Sequence, residues 1–177
     1  QVRVTRFPKH TQVDDLVATE EPLEIRVNNE SIAVLMRTPN NDRALVAGFM
    51  LTEGIIDGPD DIKALSPCRD PSRPNASNIF LVTLEAGCQS PNSRIEKARR
   101  AFYSSSSCGL CGKATIENIH QQISPHEHFV SVPRNLVKRM GDDASKQQIG
   151  FENTGGTHAA AIFSLEGSGE LLVLDED

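Results

Sequence analysis

The sequence predicts a mixed fold of the α/β or α+β class. Short apolar runs of strand length alternate along the chain with segments whose apolar residues recur every three to four positions, which is the helical spacing. The sequence shows no internal repeat, and no long linker separates these segments. A hydrophobic content of 38% in 177 residues is enough to build a core, so the strands and helices are expected to pack in one domain or slightly more.

The first half of the chain is predicted to contain a hairpin, a helix and a buried strand. Apolar residues alternate with polar ones over residues 23–27, and an apolar run follows at 32–36 after a short polar turn. Asp42 is a suitable N-cap for a helix that Gly54 would end. The run Ile79–Leu84 is mostly apolar and has strand length, which indicates a buried strand.

The second half is predicted to contain two more helices and a second hairpin. A serine and a glutamate with capping-box spacing predict a helix over about 93–102. Pro133 suits the first position of another helix, and the glycine and aspartates at 141–143 are expected to interrupt it. Apolar runs on either side of the Gly-Ser-Gly turn at 167–169 predict the hairpin.

The composition argues against several classes of protein. A net charge of −6 and a pI of about 5.4 are atypical of nucleic-acid binding. No apolar run approaches the roughly 18–20 residues that span a bilayer, and no secretory signal is visible. A chain of this length does not need its four cysteines as disulfide staples. We therefore expect a reduced, cytoplasmic location, with no nucleic-acid or membrane partner.

The strongest candidate for chemistry is the dithiol formed by Cys108 and Cys111. On a helix, residues three apart share a face, and a cysteine at a helix start meets unpaired N–H groups that favour the thiolate. The serines at 104–107 come directly before the pair and predict a mobile loop that keeps the sulfur accessible. The pattern therefore predicts a reactive dithiol.

The charge around the dithiol is opposite in sign to that of the chain. Residues 94–113 carry five basic side chains and one acidic side chain, a net +4, which leaves −10 on the rest of the −6 chain. Such a neighbourhood lowers a thiol pKa and attracts an anionic ligand. Arg99, Arg100 and Lys113 are the predicted anion-binding residues of this stretch.

A zinc site and a redox dithiol are the alternatives for the same pair. A structural zinc ion needs four ligands, typically including a second close pair, but Cys68 and Cys88 are twenty residues apart. His126 and His128 would have to supply the other half. A thioredoxin-type motif normally follows the start of a βαβ unit, whereas this pair follows a predicted helix and a serine stretch. A zinc-binding interaction module and a dithiol oxidoreductase thus remain open.

A second candidate site lies near the C-terminus, where a single threonine separates the pair Gly155 and Gly156 from His158. Paired glycines let the backbone adopt positive φ or approach a ligand closely. A histidine at this position can donate to an anion or move a proton. The alternative is an ordinary turn whose histidine is satisfied within the fold.

Three segments, in the same order along the chain, resemble the landmarks of one family. They are residues 45–56, residues 101–112 around the dithiol, and residues 152–161 around the glycine pair. In these segments the sequence is similar to the FdhD-type formate dehydrogenase accessory proteins, the FdhD/NarQ family.

The resemblance implies a sulfurtransferase of the cytoplasm that works as a homodimer. Such proteins take persulfide sulfur from a cysteine desulfurase and pass it to the molybdenum cofactor of formate dehydrogenase. The carrier cysteine corresponds to Cys108, and Cys111 either expels or shields the sulfur. The cofactor is bound as a client in its guanine-dinucleotide form. The residues expected to bind it are Arg99, Arg100, Lys113, Gly155, Gly156 and His158. No structural metal is expected.

The resemblance also implies a division into two parts. Residues 1–128 would form an N-terminal α/β part that carries the C-x-x-C loop. Residues 129–177 would begin a part similar to the cytidine deaminase fold. Family members continue past the position of Asp177 with a Val-Gly-Arg-His-Asn type segment, so the chain is expected to be truncated at its C-terminus.

Overall fold

A computed structural model of the chain describes residues 1–86, 88, 93–96 and 130–177. The chain divides into a central unit, Glu20–Ser124, and a terminal unit that combines Gln1–Thr19 with Pro125–Asp177. The division predicted from sequence, at 128/129, places the first 19 residues in the N-terminal part. Strands and helices occur in both units, which confirms the α/β class.

The central unit contains a mixed sheet of four strands: β3 (Glu21–Val27), β4 (Glu30–Arg37), β5 (Ile62–Pro67) and β6 (Ile79–Leu84). Their order in the sheet is β4-β3-β6-β5. The predicted hairpin is present: β3 and β4 are antiparallel, and Asn28 and Asn29 join them with φ values of 48° and 74°. Two positive φ angles in a two-residue turn match the twist of the flanking strands. β6 is parallel to β3 and antiparallel to β5.

Helix α1 (Asp42–Thr52) contributes to the core of the central unit. Its buried residues are Val46, Phe49 and Met50, so the helical spacing in the sequence was interpreted correctly. They join the fully buried strand residues Leu23 and Ile25 in one apolar cluster. Short 3-10 turns at Pro59–Asp61 and Ala76–Asn78 precede β5 and β6.

The start of α1 differs from the prediction by one residue. Asn41 is the N-cap and Asp42 is already helical. The carboxylate of Asp42 instead accepts hydrogen bonds from Nε and Nη2 of Arg37, at 2.8 and 3.1 Å. Arg37 is 3% exposed, and a buried guanidinium requires a charged partner of this kind. The pair therefore fixes the start of α1 to the end of β4.

Residues 93–96 of the central unit are helical, as predicted. Ile95 is buried in the core cluster, and Nη1 of Arg94 lies 2.9 Å from Oδ2 of Asp57. The rest of the predicted helix over 93–102 and the serine stretch lie outside the described residues.

Two hairpins and two helices make up the described part of the terminal unit. The first hairpin pairs β1 (Val2–Arg6) with β2 (Thr11–Asp15), and the second pairs β7 (Ala159–Phe163) with β8 (Leu171–Glu176), both antiparallel. Between them in sequence come α2 (Arg134–Ser145) and a six-residue helix, α3 (Ile149–Thr154). The hairpin around the Gly-Ser-Gly turn is confirmed.

Two details of α2 correct the sequence-based expectation. Pro133 precedes the helix as its N-cap residue and is not its first helical residue. The interruption expected at 141–143 is wrong, because the helix continues through these residues. Asp143 pairs there with Arg139 one turn earlier, at 3.4 Å, and with Lys146, at 3.1 Å. Such pairs at helical spacing support a helix against the low propensity of glycine and aspartate.

Among the helices in the described ranges, none has the length and apolar character needed to cross a membrane.

Candidate functional site

The predicted site residues fall into two groups. Gly155, Gly156 and His158 belong to the described part of the terminal unit. The dithiol pair and the basic residues lie outside the described residues, and their roles stay predictions; they are Cys108, Cys111, Arg99, Arg100 and Lys113.

The described group forms the connection between α3 and β7, which we call the glycine turn (residues 155–158). Gly155 has φ 65° and its N–H donates to the carbonyl of Phe151 at 2.7 Å. This is the left-handed residue that commonly ends a helix, and glycine adopts it without steric cost. The fold alone therefore explains why residue 155 is glycine.

Gly156 has no such explanation. Its φ is not positive, and its N–H donates to the hydroxyl of Thr154 at 3.2 Å. A Cβ added here would lie 3.6 Å from Cβ of Ala18, an ordinary contact distance. Because neither conformation nor packing demands glycine at this position, the bare backbone remains available for the close approach of a ligand.

His158 extends the pairing of β7 with β8 by one residue. Its N–H donates to the carbonyl of Asp177 at 2.6 Å, and its carbonyl accepts from the N–H of Asp177 at 2.9 Å. The residue is exposed. The N–H groups of Gly155, Gly156 and His158 are thus all donated within the chain. A ligand at the glycine turn would meet the backbone of Gly156 and the imidazole, not a set of free N–H donors.

Glu176, which the sequence did not single out, holds the glycine turn from the end of β8. Its carboxylate accepts hydrogen bonds from the N–H groups of Gly150 and Phe151, at 2.9 and 2.8 Å, and from Oγ1 of Thr157, at 3.0 Å. Thr157 is 5% exposed and lies within the turn itself. The donors come from residues 19 to 26 positions away, so no local pattern indicates these contacts.

The hydrogen bonds outweigh the effect of burial on Glu176. Burial raises the pKa of a carboxyl group, but bonds from the backbone of Gly150 and Phe151 and from Thr157 lower it. The net result is a pKa below the ordinary value for glutamate.

This shift predicts acid sensitivity of the terminal unit. A depressed folded pKa means that the carboxylate adds stability above the unfolded pKa of about 4.3, and that this stability is lost as the pH falls through the lower folded value. We expect the melting temperature, followed by circular dichroism, to fall between about pH 5 and pH 3. Glu176→Gln should melt lower at pH 7 and lose less on acidification. Parallel curves for the two proteins would contradict the prediction.

The two cysteines that the structure describes are not reactive candidates. Cys68 and Cys88 are both free and 7% exposed. Burial raises the pKa of the Cys88 thiol, and Asp61 and Asp57 add to the rise while Arg94 opposes it. A buried thiol kept protonated is a poor nucleophile. Within the described ranges, no three histidine, cysteine, aspartate or glutamate side chains are grouped to hold a metal ion.

Comparison with known proteins gives matches over nearly the whole chain. A sulfur carrier protein FdhD of Mycobacterium bovis is 36% identical over 185 aligned residues, covering 97% of this chain and 65% of the relative. A protein of the same name from Mycolicibacterium paratuberculosis is 38% identical, covering 92% of this chain and 60% of the relative. The chain therefore spans 60–65% of the length of these relatives, which is less than two thirds.

A solved structure has a similar fold. It is the crystal structure of a putative formate dehydrogenase accessory protein from Desulfotalea psychrophila, with a TM-score of 0.60 and 18% identity. The match covers 99% of this chain and 57% of that one.

The family comparison covers both the dithiol and the glycine turn. The family model described as FdhD/NarQ matches residues 18–177, which is most of the chain and includes all three segments that carried the resemblance. The recognition made from sequence is thereby confirmed, and the chain belongs to the FdhD/NarQ family.

Proposed function

We propose that the chain is a sulfurtransferase that carries persulfide sulfur on Cys108 for the molybdenum cofactor of a formate dehydrogenase. One observation carries the proposal: the FdhD/NarQ match over residues 18–177 includes the close cysteine pair Cys108 and Cys111. The relatives are named sulfur carriers, and the two other cysteines of this chain are buried. That leaves this pair as the group suited to sulfur chemistry.

Loading is a thiol exchange without net oxidation. The thiolate of Cys108 attacks the outer sulfur of a persulfide on the donor, a cysteine desulfurase. The S–S bond of the donor breaks, its cysteine leaves as a thiolate, and a new S–S bond forms on Cys108. The reaction needs the thiolate form, which the five basic residues within 94–113 favour.

Delivery assigns a role to Cys111. Its thiolate attacks the inner sulfur of the Cys108 persulfide, a Cys108–Cys111 disulfide forms, and the outer sulfur leaves as hydrosulfide for the client. The pair is oxidised by two electrons, so an external dithiol reductant must restore it before the next round. If Cys111 instead shields the persulfide, no disulfide accumulates during delivery.

The client is bound, in this proposal, by charge and by the glycine turn. The guanine-dinucleotide form of the cofactor carries a pyrophosphate, and guanidinium groups form paired hydrogen bonds with phosphate oxygens. Arg99, Arg100 and Lys113 flank the dithiol and supply these groups. The bare backbone of Gly156 and the side chain of His158 supply the second contact. The proposal further includes a homodimer in the cytoplasm.

The basic residues can be tested by a double substitution. Arg99→Ala with Arg100→Ala is expected to weaken binding of the cofactor, and the loss should be larger at low salt because screening is weaker there. Calorimetry at two salt concentrations measures both effects. The matched control is Arg3→Ala with Arg6→Ala, which removes the same charge from the exposed ion pairs of the first hairpin. Equal affinities for the two double variants would contradict the role in binding.

The main test is mass spectrometry of the chain after incubation with a cysteine desulfurase and cysteine. The proposal expects a gain of one sulfur atom on the peptide that contains Cys108, reversed by a reductant. Protein purified without added zinc should be analysed for metal in parallel. Stoichiometric zinc together with no sulfur gain would overturn the proposal in favour of a zinc-binding module.

A further inference from the structure

The glycine turn is held by a single carboxylate that also fixes the helix before it. Glu176 accepts the N–H groups of Gly150 and Phe151 at the start of α3, and the hydroxyl of Thr157 after its end. The same side chain therefore joins the start of α3 to the glycine turn that follows the helix.

The contact is tightly fitted. A Cβ added to Gly150 would lie 3.1 Å from Oε1 and 3.3 Å from Oε2 of Glu176, closer than most real contacts. An ionised carboxylate only accepts hydrogen bonds, and here it receives three donors from two segments. The three donors thus fix the position of the carboxylate, and the carboxylate fixes the positions of Gly150, Phe151 and Thr157.

A helix of six residues needs such support. Nucleating a helix is unfavourable, and isolated helices of this length do not persist in water. The start of α3 is exposed, with Ile149 65% accessible and Phe151 50% accessible, so apolar burial contributes little there. The charge-assisted hydrogen bonds to Glu176 are therefore interactions that orient α3 and the turn that follows it.

We infer that Glu176 and Thr157 are positioning residues for the binding of a guanine nucleotide at Gly156 and His158. This inference rests on the proposed function, which assigns the glycine turn to the guanine-dinucleotide cofactor. Neither side chain is required to touch the nucleotide. Their task is to hold the backbone of Gly156 and the imidazole in one arrangement before the ligand arrives, which lowers the ordering cost of binding.

The test uses pairs of variants in the full chain, with GDP as the probe because it carries guanine, ribose and a diphosphate. Thr157→Ser keeps the hydroxyl and loses a methyl group, whereas Thr157→Val keeps the shape and loses the hydroxyl. Glu176→Gln keeps the shape and replaces one acceptor oxygen with an amide nitrogen that cannot accept. Glu170→Gln, in the connection between β7 and β8, is the control for loss of one negative charge.

Thr157 either positions the turn through its hydroxyl or only fills space. Calorimetry separates these two roles, because they predict opposite orders of GDP affinity for Thr157→Ser and Thr157→Val. If the residue positions the turn, Thr157→Ser binds GDP like the wild type, while Thr157→Val and Glu176→Gln bind about tenfold more weakly, as when a group that orients direct ligands is removed. If the residue only fills space, Thr157→Val is tolerated and Thr157→Ser is the damaging change. All titrations are made well below the melting temperature of each variant, so a fully folded protein is compared.

Hydrogen exchange separates this inference from the proposed function. Faster exchange of the Gly150 and Phe151 amides in Glu176→Gln, with weaker GDP binding, supports the positioning role. Equal GDP binding by the wild type, Thr157→Val and Glu176→Gln overturns it and leaves the proposed function standing. If the wild type itself binds no GDP, the assignment of the turn to the cofactor fails, and the positioning role fails with it.

Discussion

Cys108→Ala is expected to abolish persulfide formation on the chain. The first step needs a thiolate that attacks the outer sulfur of the donor persulfide, and alanine provides no nucleophile. Neither Cys68 nor Cys88 can substitute, because both side chains are buried. The expected result is complete loss of the one-sulfur mass gain, measured on the intact protein and on its peptides. Ser107→Ala, a comparably small change next to the pair, should load normally.

Cys111→Ala separates the loading of sulfur onto the chain from its delivery to the client. It should still accept sulfur, since the carrier thiol is intact, but it should fail to release hydrosulfide if Cys111 resolves the persulfide. Detection of a Cys108–Cys111 disulfide in the wild type during delivery would support the resolving role. A reversed outcome, in which Cys111→Ala blocks loading and Cys108→Ala does not, would exchange the roles of the two residues.

The same two variants distinguish the other functions of a dithiol. In a zinc site, either substitution releases metal and lowers the melting temperature, because each ligand contributes to the binding free energy. In a dithiol oxidoreductase, both substitutions abolish the turnover of disulfides. Sulfur loading, metal content and melting temperature, measured together, give a different pattern for each of the three functions.

Gly169→Ala is expected to destabilise the terminal unit severely. Gly169 has φ 74°, a conformation that costs alanine energy, and it is buried in the connection between β7 and β8. An added Cβ would also overlap the side chain of Leu136, itself 8% exposed on α2. Backbone strain and overpacking together should cost about 2–4 kcal/mol of unfolding free energy. Denaturant unfolding followed by circular dichroism measures the loss.

Gly167→Ala is the matched control in the same connection. Gly167 has φ 60°, so alanine meets similar backbone strain, but an added Cβ finds no atom within 4 Å. We expect a cost of about 1 kcal/mol for this variant. The difference between the two variants isolates the contact with Leu136. Equal losses would mean that α2 moves aside without cost and that Gly169 does not fix the hairpin against the helix.

Local sequence patterns were sufficient to predict several elements of the fold. The hairpin of β3 and β4, helix α1, strand β6 and the hairpin of β7 and β8 were all predicted from apolar spacing and turn residues. Elements without such a pattern were missed. β5 buries only Leu65, the strands of the first hairpin are largely exposed, and α3 is too short to show a period.

The family, and with it the proposed chemistry, was also recognised from sequence. Three short segments in a fixed order were sufficient, and the match over residues 18–177 confirmed the recognition. Segment identity of this kind depends on residue types at a few positions and not on the tertiary structure. The roles of Cys108 and Cys111 rest on the same information and stay predictions.

The construction of the glycine turn depends on tertiary contacts that no sequence pattern indicated. The sequence does not distinguish Gly155 from Gly156. In the structure only Gly155 has a left-handed φ, so the fold explains a glycine at position 155 but not at position 156. In the same way, nothing near Glu176 in sequence indicates that its carboxylate binds Gly150, Phe151 and Thr157. Both facts depend on where distant segments meet. Local propensity does not encode that meeting, because it results from the packing of the whole unit.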